Sequence, residues 1–163
     1  MSMELTELKH EALDFLKEPT RITAVVGTCS LDNIPYTATV YYWVDDEFNF
    51  YFLTATGTQK YLNLQANPQA AITIGFGPSY TTMQGGGPVE LLEKNSEEEK
   101  VAIAHLKKRL QEHGNKTWPI FKLDDFADES MAVFKINTIT LQLLNLEKEN
   151  DLEVTGDDIQ QIL

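Results

Sequence analysis

Phe48-Asn49-Phe50-Tyr51-Phe52-Leu53-Thr54-Ala55-Thr56-Gly57-Thr58-Gln59-Lys60-Tyr61-Leu62-Asn63-Leu64-Gln65-Ala66-Asn67-Pro68 is the stretch on which the fold turns. Side chains alternate across a strand, and Phe48–Thr54 has few polar residues in either alternating set, so it predicts a strand buried on both faces. The threonine-rich turn that follows feeds a short helix stopped by Asn67-Pro68. Thr56 and Gln59 have the spacing of a helix-capping box. Backbone N–H groups at a helix start lack internal partners and sit at the positive end of the helix dipole, so such a turn can hold a phosphate. Thr54, Thr56 and Thr58 add hydroxyls, Gly57 allows close backbone approach, and Lys60 adds a mobile cation. Taken alone, the turn reads more simply as an ordinary capped helix with a surface lysine.

Upstream, Leu5, Leu8, Ala12, Phe15 and Leu16 recur at helical spacing until Glu18-Pro19, which predicts an amphipathic helix over 4–17. Residues 21–30 are rich in β-branched side chains, and Leu31–Pro35 reads as the turn of a hairpin whose second strand is Tyr36–Val44. On that strand Tyr36, Ala38, Val40, Tyr42 and Val44 share one face, and Thr37, Thr39, Tyr41 and Trp43 the other. Asp45-Asp46-Glu47 then turns the chain into Phe48.

Downstream, Gln69–Phe76 predicts a fourth strand. A fifth opens at Tyr80–Gln84, meets Gly85-Gly86-Gly87-Pro88 and resumes at Val89–Leu92, where the glycines indicate a bulge, a crowded corner or close backbone approach. Ser96 and Glu99 form a second capping box, and Ile103, Leu106 and Leu110 mark a helix ending near Gly114. After Trp118-Pro119 and an acidic segment, Asp124–Glu129, a long last strand is predicted over Met131–Leu146. Residues 147–163 read as an acidic, solvated tail beyond a domain spanning 1–146. Antiparallel hairpins with helices inserted at two points indicate an α+β domain on a small Greek-key or up-and-down barrel.

The 163 residues suit one domain with a proper core, and 42% apolar content is a globular value. The formal net charge of −12 opposes binding to nucleic acid or anionic lipid, so a phosphate ligand must be held locally. A single cysteine, Cys29, excludes an intrachain disulfide and suits a reducing compartment. No apolar run approaches the roughly 18 residues of a membrane span, and the first ten residues lack a signal peptide's apolar centre, so a cytoplasmic protein is expected. His10, His105 and His113 lack metal-ligand spacing, so no metal is expected. Trp43 and Trp118 read as packing or interface residues, and Cys29 as a small core residue.

With these elements in order, the chain resembles the pyridoxamine-5′-phosphate-oxidase-like, FMN-binding split-barrel family. The resemblance rests on Thr54, Gly57, Thr58 and Lys60, on Asn63-Leu64 and Asn67-Pro68, and on Gly27-Thr28-Cys29 and Asn33-Ile34-Pro35 of the first hairpin. It runs from Arg21 to Leu92, with a weaker continuation in the last strand. It implies an α+β fold, a mainly antiparallel split β-barrel with flanking helices, and a homodimer with FMN in a groove at the subunit interface. It further implies that Thr58, Gln59 and Lys60 contact the phosphate, and that Leu53 and Thr54 border the flavin and ribityl chain. Thr37 and Thr39, or their neighbours on that strand, would line the same cavity, and Thr82 and Gln84 would make polar contacts to the ring. Which of Gly85, Gly86 and Gly87 takes the family's glycine position stays open.

The departures narrow the implied chemistry. The namesake oxidases hold a substrate phosphate with arginines, whereas this chain has only Arg21 and Arg109. Position 59 is glutamine where those oxidases often have arginine, and Ala38 stands where their second strand carries one. Oxidation of pyridoxine phosphate is therefore disfavoured, and the chain resembles the short relatives described as general stress proteins. A flavin-dependent oxidoreductase is expected, with no protein side chain singled out as catalytic. The alternatives are a non-catalytic flavin-binding module, the same fold holding a deazaflavin or haem, or a barrel that has lost its ligand.

Overall fold

The computed structural model describes residues 3–75, 81–113, 130–145 and 159–163. Its elements in chain order are α1 (Met3–Lys17), β1 (Thr23–Cys29), β2 (Pro35–Val44), β3 (Phe50–Ala55), α2 (Gln59–Ala66), β4 (Gln69–Ile74), β5 (Thr81–Leu91), α3 (Glu97–Glu112), β6 (Met131–Ile136), β7 (Thr140–Asn145) and β8 (Ile159–Gln161). The strands follow the order β4-β1-β2-β3-β6-β5-β7-β8, and a further β4–β5 pairing closes the first six into a barrel. Every pairing is antiparallel. The fold is α+β, a split barrel with flanking helices.

β3 is buried on both faces for a visible reason. Phe50 and Phe52 point into the barrel, while Tyr51 and Leu53 point outward into a second apolar cluster under α3 with Tyr41, Val133, Leu106 and Leu110. The two faces of β2 divide the same way, with Val40, Tyr42 and Val44 inside and Tyr41 outside. Trp43 packs against the outer cluster and stacks on His105 of α3, ring centroids 4.3 Å apart. α1 contributes Ala12 and Leu16 to the barrel core, and the Tyr42 hydroxyl donates to Leu16 O over 2.7 Å.

β2 pairs with β3 only over Tyr42–Val44, yet it pairs with β1 from Pro35 to Tyr41. The sheet thus splits where Tyr41 passes Leu53. This opening positions the site.

Four details differ from the sequence expectation. β5 runs unbroken through its glycines, because there the strand changes neighbours: Thr81–Gly86 pair with β7 and Val89–Leu91 with β6. A Cβ on Gly85 would lie 2.6 Å from Thr140 O, and one on Gly86 2.7 Å from Ala70 O, so the close approach is to the chain's own backbone. Second, the strand expected over Met131–Leu146 is two strands, broken at 137–139. There the Asn137 and Ile139 amides bond Pro88 O and Gly86 O over 2.9 and 3.0 Å, turning the chain around the glycine corner. Third, the end of the acidic segment is built into the sheet: β8 pairs with β7, and Ile162 is 3% exposed within the core. Fourth, Cys29 is half-buried at the end of β1, not in the core. The expected features at Phe76, Tyr80, Trp118-Pro119 and Asp124–Glu129 lie outside the described residues.

Candidate functional site

The turn between β3 and α2 is organised by Thr58. Its hydroxyl donates to Ala55 O over 2.9 Å and lies 2.9 Å from Thr54 Oγ1. The same oxygen accepts the Tyr61 amide at 3.4 Å, which makes Thr58 the N-cap of α2. The expected capping box of Thr56 and Gln59 is therefore displaced. Thr56 spends its amide on Ser130 O at 2.8 Å, and Gln59 is already the first helical residue. Two threonines two positions apart offered alternative caps, and the barrel contact from Ser130 decided between them.

The cap serves only part of the helix start. The Leu62 amide closes the first intrahelical bond onto Thr58 O at 3.1 Å, and Tyr61 is served by the cap. The Gln59 and Lys60 amides have no acceptor among the described residues, as the geometry of a helix start dictates. Lys60 is half-buried and makes no ion pair or hydrogen bond with the described residues. Burial holds its ammonium below the ordinary lysine pKa. Two free amides, a half-buried unpaired cation and a helix dipole together favour an anion at this spot. They do so against a formal net charge of −12.

The other expected residues divide into two groups. Thr37 and Thr39 are exposed on the part of β2 that has left β3, so they flank the same opening as the Thr58 turn. Thr54 faces inward at 1% exposure beneath the turn, and Leu53 faces outward at 7% exposure under α3. Thr82 and Gln84 lie farther round the barrel. The Thr82 hydroxyl donates to Gly75 O over 2.9 Å, while Gln84 is exposed. The register places Thr39, Val25, Thr73 and Gln84 side by side on one outer row. Three strand spacings, roughly 14 Å, separate its ends. Within one chain, then, Gln84 stands apart from the Thr58 turn.

Sequence reasoning assigned no role to a buried polar pair behind the turn. Asn63, on α2, is 3% exposed, and its amide bonds Thr28 of β1 and Gln59 of its own helix. Asn63 and Thr28 were each noted as residues that carry the family resemblance, but nothing in the sequence linked the two.

Both arginines are committed elsewhere. Arg109 donates to Leu16 O over 3.2 Å and to Arg21 O, tying α3 to the end of α1. Arg21 pairs with Glu18 at 2.8 Å and lies 4.0 Å from the Phe15 ring centroid. Neither guanidinium joins the Thr58 turn. Among the described residues, no group of three or more His, Cys, Asp or Glu could hold a metal ion, and no helix is long and apolar enough to cross a membrane.

Comparison with known proteins agrees with the fold. HutZ, the heme storage protein of Vibrio cholerae, superposes with a TM-score of 0.67 at 18% identity, covering 82% of this chain and 92% of that one. General Stress Protein 26 of Bacillus anthracis gives a TM-score of 0.60 at 17% identity, over 84% of this chain and 93% of that one. A Listeria innocua protein provisionally named a pyridoxamine 5′-phosphate oxidase gives 0.60 at 22% identity, over 85% and 98%. At these identities the likeness is one of fold. No curated protein sequence matches the chain. The family model described as Pyridoxamine 5′-phosphate oxidase matches residues 8–143, and the chain belongs to that family.

Proposed function

We propose that the chain binds FMN as a homodimer, with the cofactor phosphate on the Thr58–Lys60 turn, and serves flavin-dependent oxidation–reduction. The observation that carries this reading is the pair of Gln59 and Lys60 amides that find no acceptor among the described residues, beside a half-buried lysine that pairs with none of them. These donors fit a phosphate dianion. Thr37 and Thr39 flank the opening through which a ribityl chain would run, and Leu53 and Thr54, both buried, would back it from β3. Thr82 and Gln84, remote within one chain, suit contact with a cofactor lying between subunits. When bound, the isoalloxazine supplies the two-electron chemistry; the chain's residues bind, orient and exclude water.

The site does not suit a doubly phosphorylated complex. With Arg21 and Arg109 both tied to α1, no guanidinium is left to hold a substrate phosphate, so a pyridoxine phosphate oxidase activity is disfavoured. A heme storage protein shares the fold, but haem requires an axial ligand, whereas the Thr58 turn offers only anion donors. A flavin-binding module without turnover would use the same residues, and its flavin would resist reduction by NAD(P)H.

The test is Lys60→Ala measured against FMN and riboflavin. Loss of a charge-assisted contact should weaken FMN about ten- to hundredfold, while riboflavin, which lacks the phosphate, is little affected. Equal affinity of the variant and the parent for FMN would remove the phosphate from this turn.

A further inference from the structure

A buried amide on a short helix is costly unless both of its ends are bonded, and Asn63 occupies such a place where an apolar residue would pack. Gln59 Nε2 donates to Asn63 Oδ1 over 2.8 Å, and Asn63 Nδ2 donates to Thr28 Oγ1 over 3.1 Å. The chain of three side chains runs from the first residue of α2 to the end of β1. Thr28, like Asn63, is buried.

In this polarity Gln59 spends an N–H on Asn63 and turns its carbonyl end away. The two ends of an amide are alike in shape, so the same positions accept the reverse arrangement. The Thr28 hydroxyl then donates to Asn63 Oδ1, Asn63 Nδ2 donates to Gln59 Oε1, and the Gln59 NH2 group is turned outward. Both arrangements contain two hydrogen bonds. The observed one leaves Gln59 a single spare N–H beside its outward carbonyl, whereas the reversed one turns both Gln59 N–H donors outward.

We propose that Asn63 is a positioning residue that sets which end of the Gln59 amide faces the ligand, and that an anion at the Gln59 and Lys60 amides selects the reversed, donor-out polarity through to Thr28. This rests on the FMN reading of the turn and adds a phosphate-selective device to it. Asn63 acts at one remove: it touches Gln59 and Thr28, and its effect is felt only by ligands that carry the phosphate.

The experiment measures dissociation constants for FMN and for riboflavin, by quenching of flavin fluorescence, on the wild type, Asn63→Leu, Gln59→Leu and the double variant. Asn63→Leu should weaken FMN about tenfold, one oriented hydrogen bond to a charged group, and leave riboflavin within about twofold. In the Gln59→Leu background it should add no further loss of FMN affinity. Equal losses for FMN and riboflavin would show a merely structural role and overturn the proposal, as would an Asn63→Leu effect undiminished in the Gln59→Leu background. If Asn63→Leu does not fold, Thr28→Val is judged by the same two criteria. A wild type that binds neither flavin defeats the FMN reading and this one with it. A wild type that binds FMN while Asn63→Leu behaves identically defeats the positioning role alone.

Discussion

Thr58 Oγ1 lies 2.9 Å from Thr54 Oγ1, so the strand entering the candidate site and the helix leaving it share one pair of hydroxyls. Thr54 is the last fully buried residue of β3, and Thr58 caps α2. The contact fixes where the strand ends, where the helix starts, and hence where the Gln59 and Lys60 amides point. Replacing Thr58 by Ala should cost about 1 kcal/mol as a lost N-cap, and Ser should recover most of it. Urea unfolding of the three proteins checks this; a Ser variant as unstable as the Ala variant would contradict it.

The glycines of the chain should separate sharply on substitution. A Cβ at Gly57 meets nothing within 4 Å, so Gly57→Ala should leave stability within about 0.5 kcal/mol. Gly86→Ala places its Cβ against Ala70 O and should cost at least about 1–3 kcal/mol, since backbone on the adjoining strand must move. Thermal unfolding reads both, and a destabilised Gly57→Ala with an unaffected Gly86→Ala would reverse the assignment.

Ile162 should behave as a core residue despite its place after an acidic segment. It is 3% exposed, and its amide donates to Leu141 O over 2.7 Å. Ile162→Ala should cost about 2–5 kcal/mol. A change in unfolding free energy near zero would mean that β8 does not hold in solution.

How much of this was legible beforehand follows from which signals are local. The double burial of β3 was written in the unbroken run Phe50–Leu53, and α3 in Ser96 with the spacing of Leu106 and Leu110. The Ser96 cap is present, with the Glu99 amide 3.2 Å from Ser96 Oγ. The Thr58 cap was obscured because Thr56 and Thr58 satisfy similar patterns, and the contact from Ser130, in the turn just before β6, distinguishes them. The break at 137–139 and the docking of Ile162 depend on which strand β5 and β7 find as neighbours, which no local period encodes. At the site, Lys60 and Thr58 were visible as motif residues. Asn63 was not assigned a role, because its meaning lies in Thr28, far away in sequence.

His105 supplies a pH test of how α3 is held. Its ring stacks on Trp43, and partial desolvation of this largely exposed ring, with Lys108 and Lys17 as like-charged neighbours, holds its pKa below the ordinary value. The folded state thus prefers the neutral ring more than the unfolded state does. That contribution is complete above the unfolded value of about 6.5 and is lost as pH falls through the lower folded value. Between roughly pH 7.5 and pH 5 the wild type should lose more stability than His105→Phe. Parallel losses in the two proteins would contradict the shift.

The central claim is that the Thr58–Lys60 turn makes this chain a flavin protein, and the absorption spectrum of the purified protein, followed by titration with FMN, tests it most directly. The account predicts a flavin spectrum, or saturable binding of one FMN per chain to protein freed of cofactor, in a dimeric species by light scattering. A protein without a flavin spectrum that fails to bind added FMN, or that shows a Soret band and binds haem in its place, would contradict it.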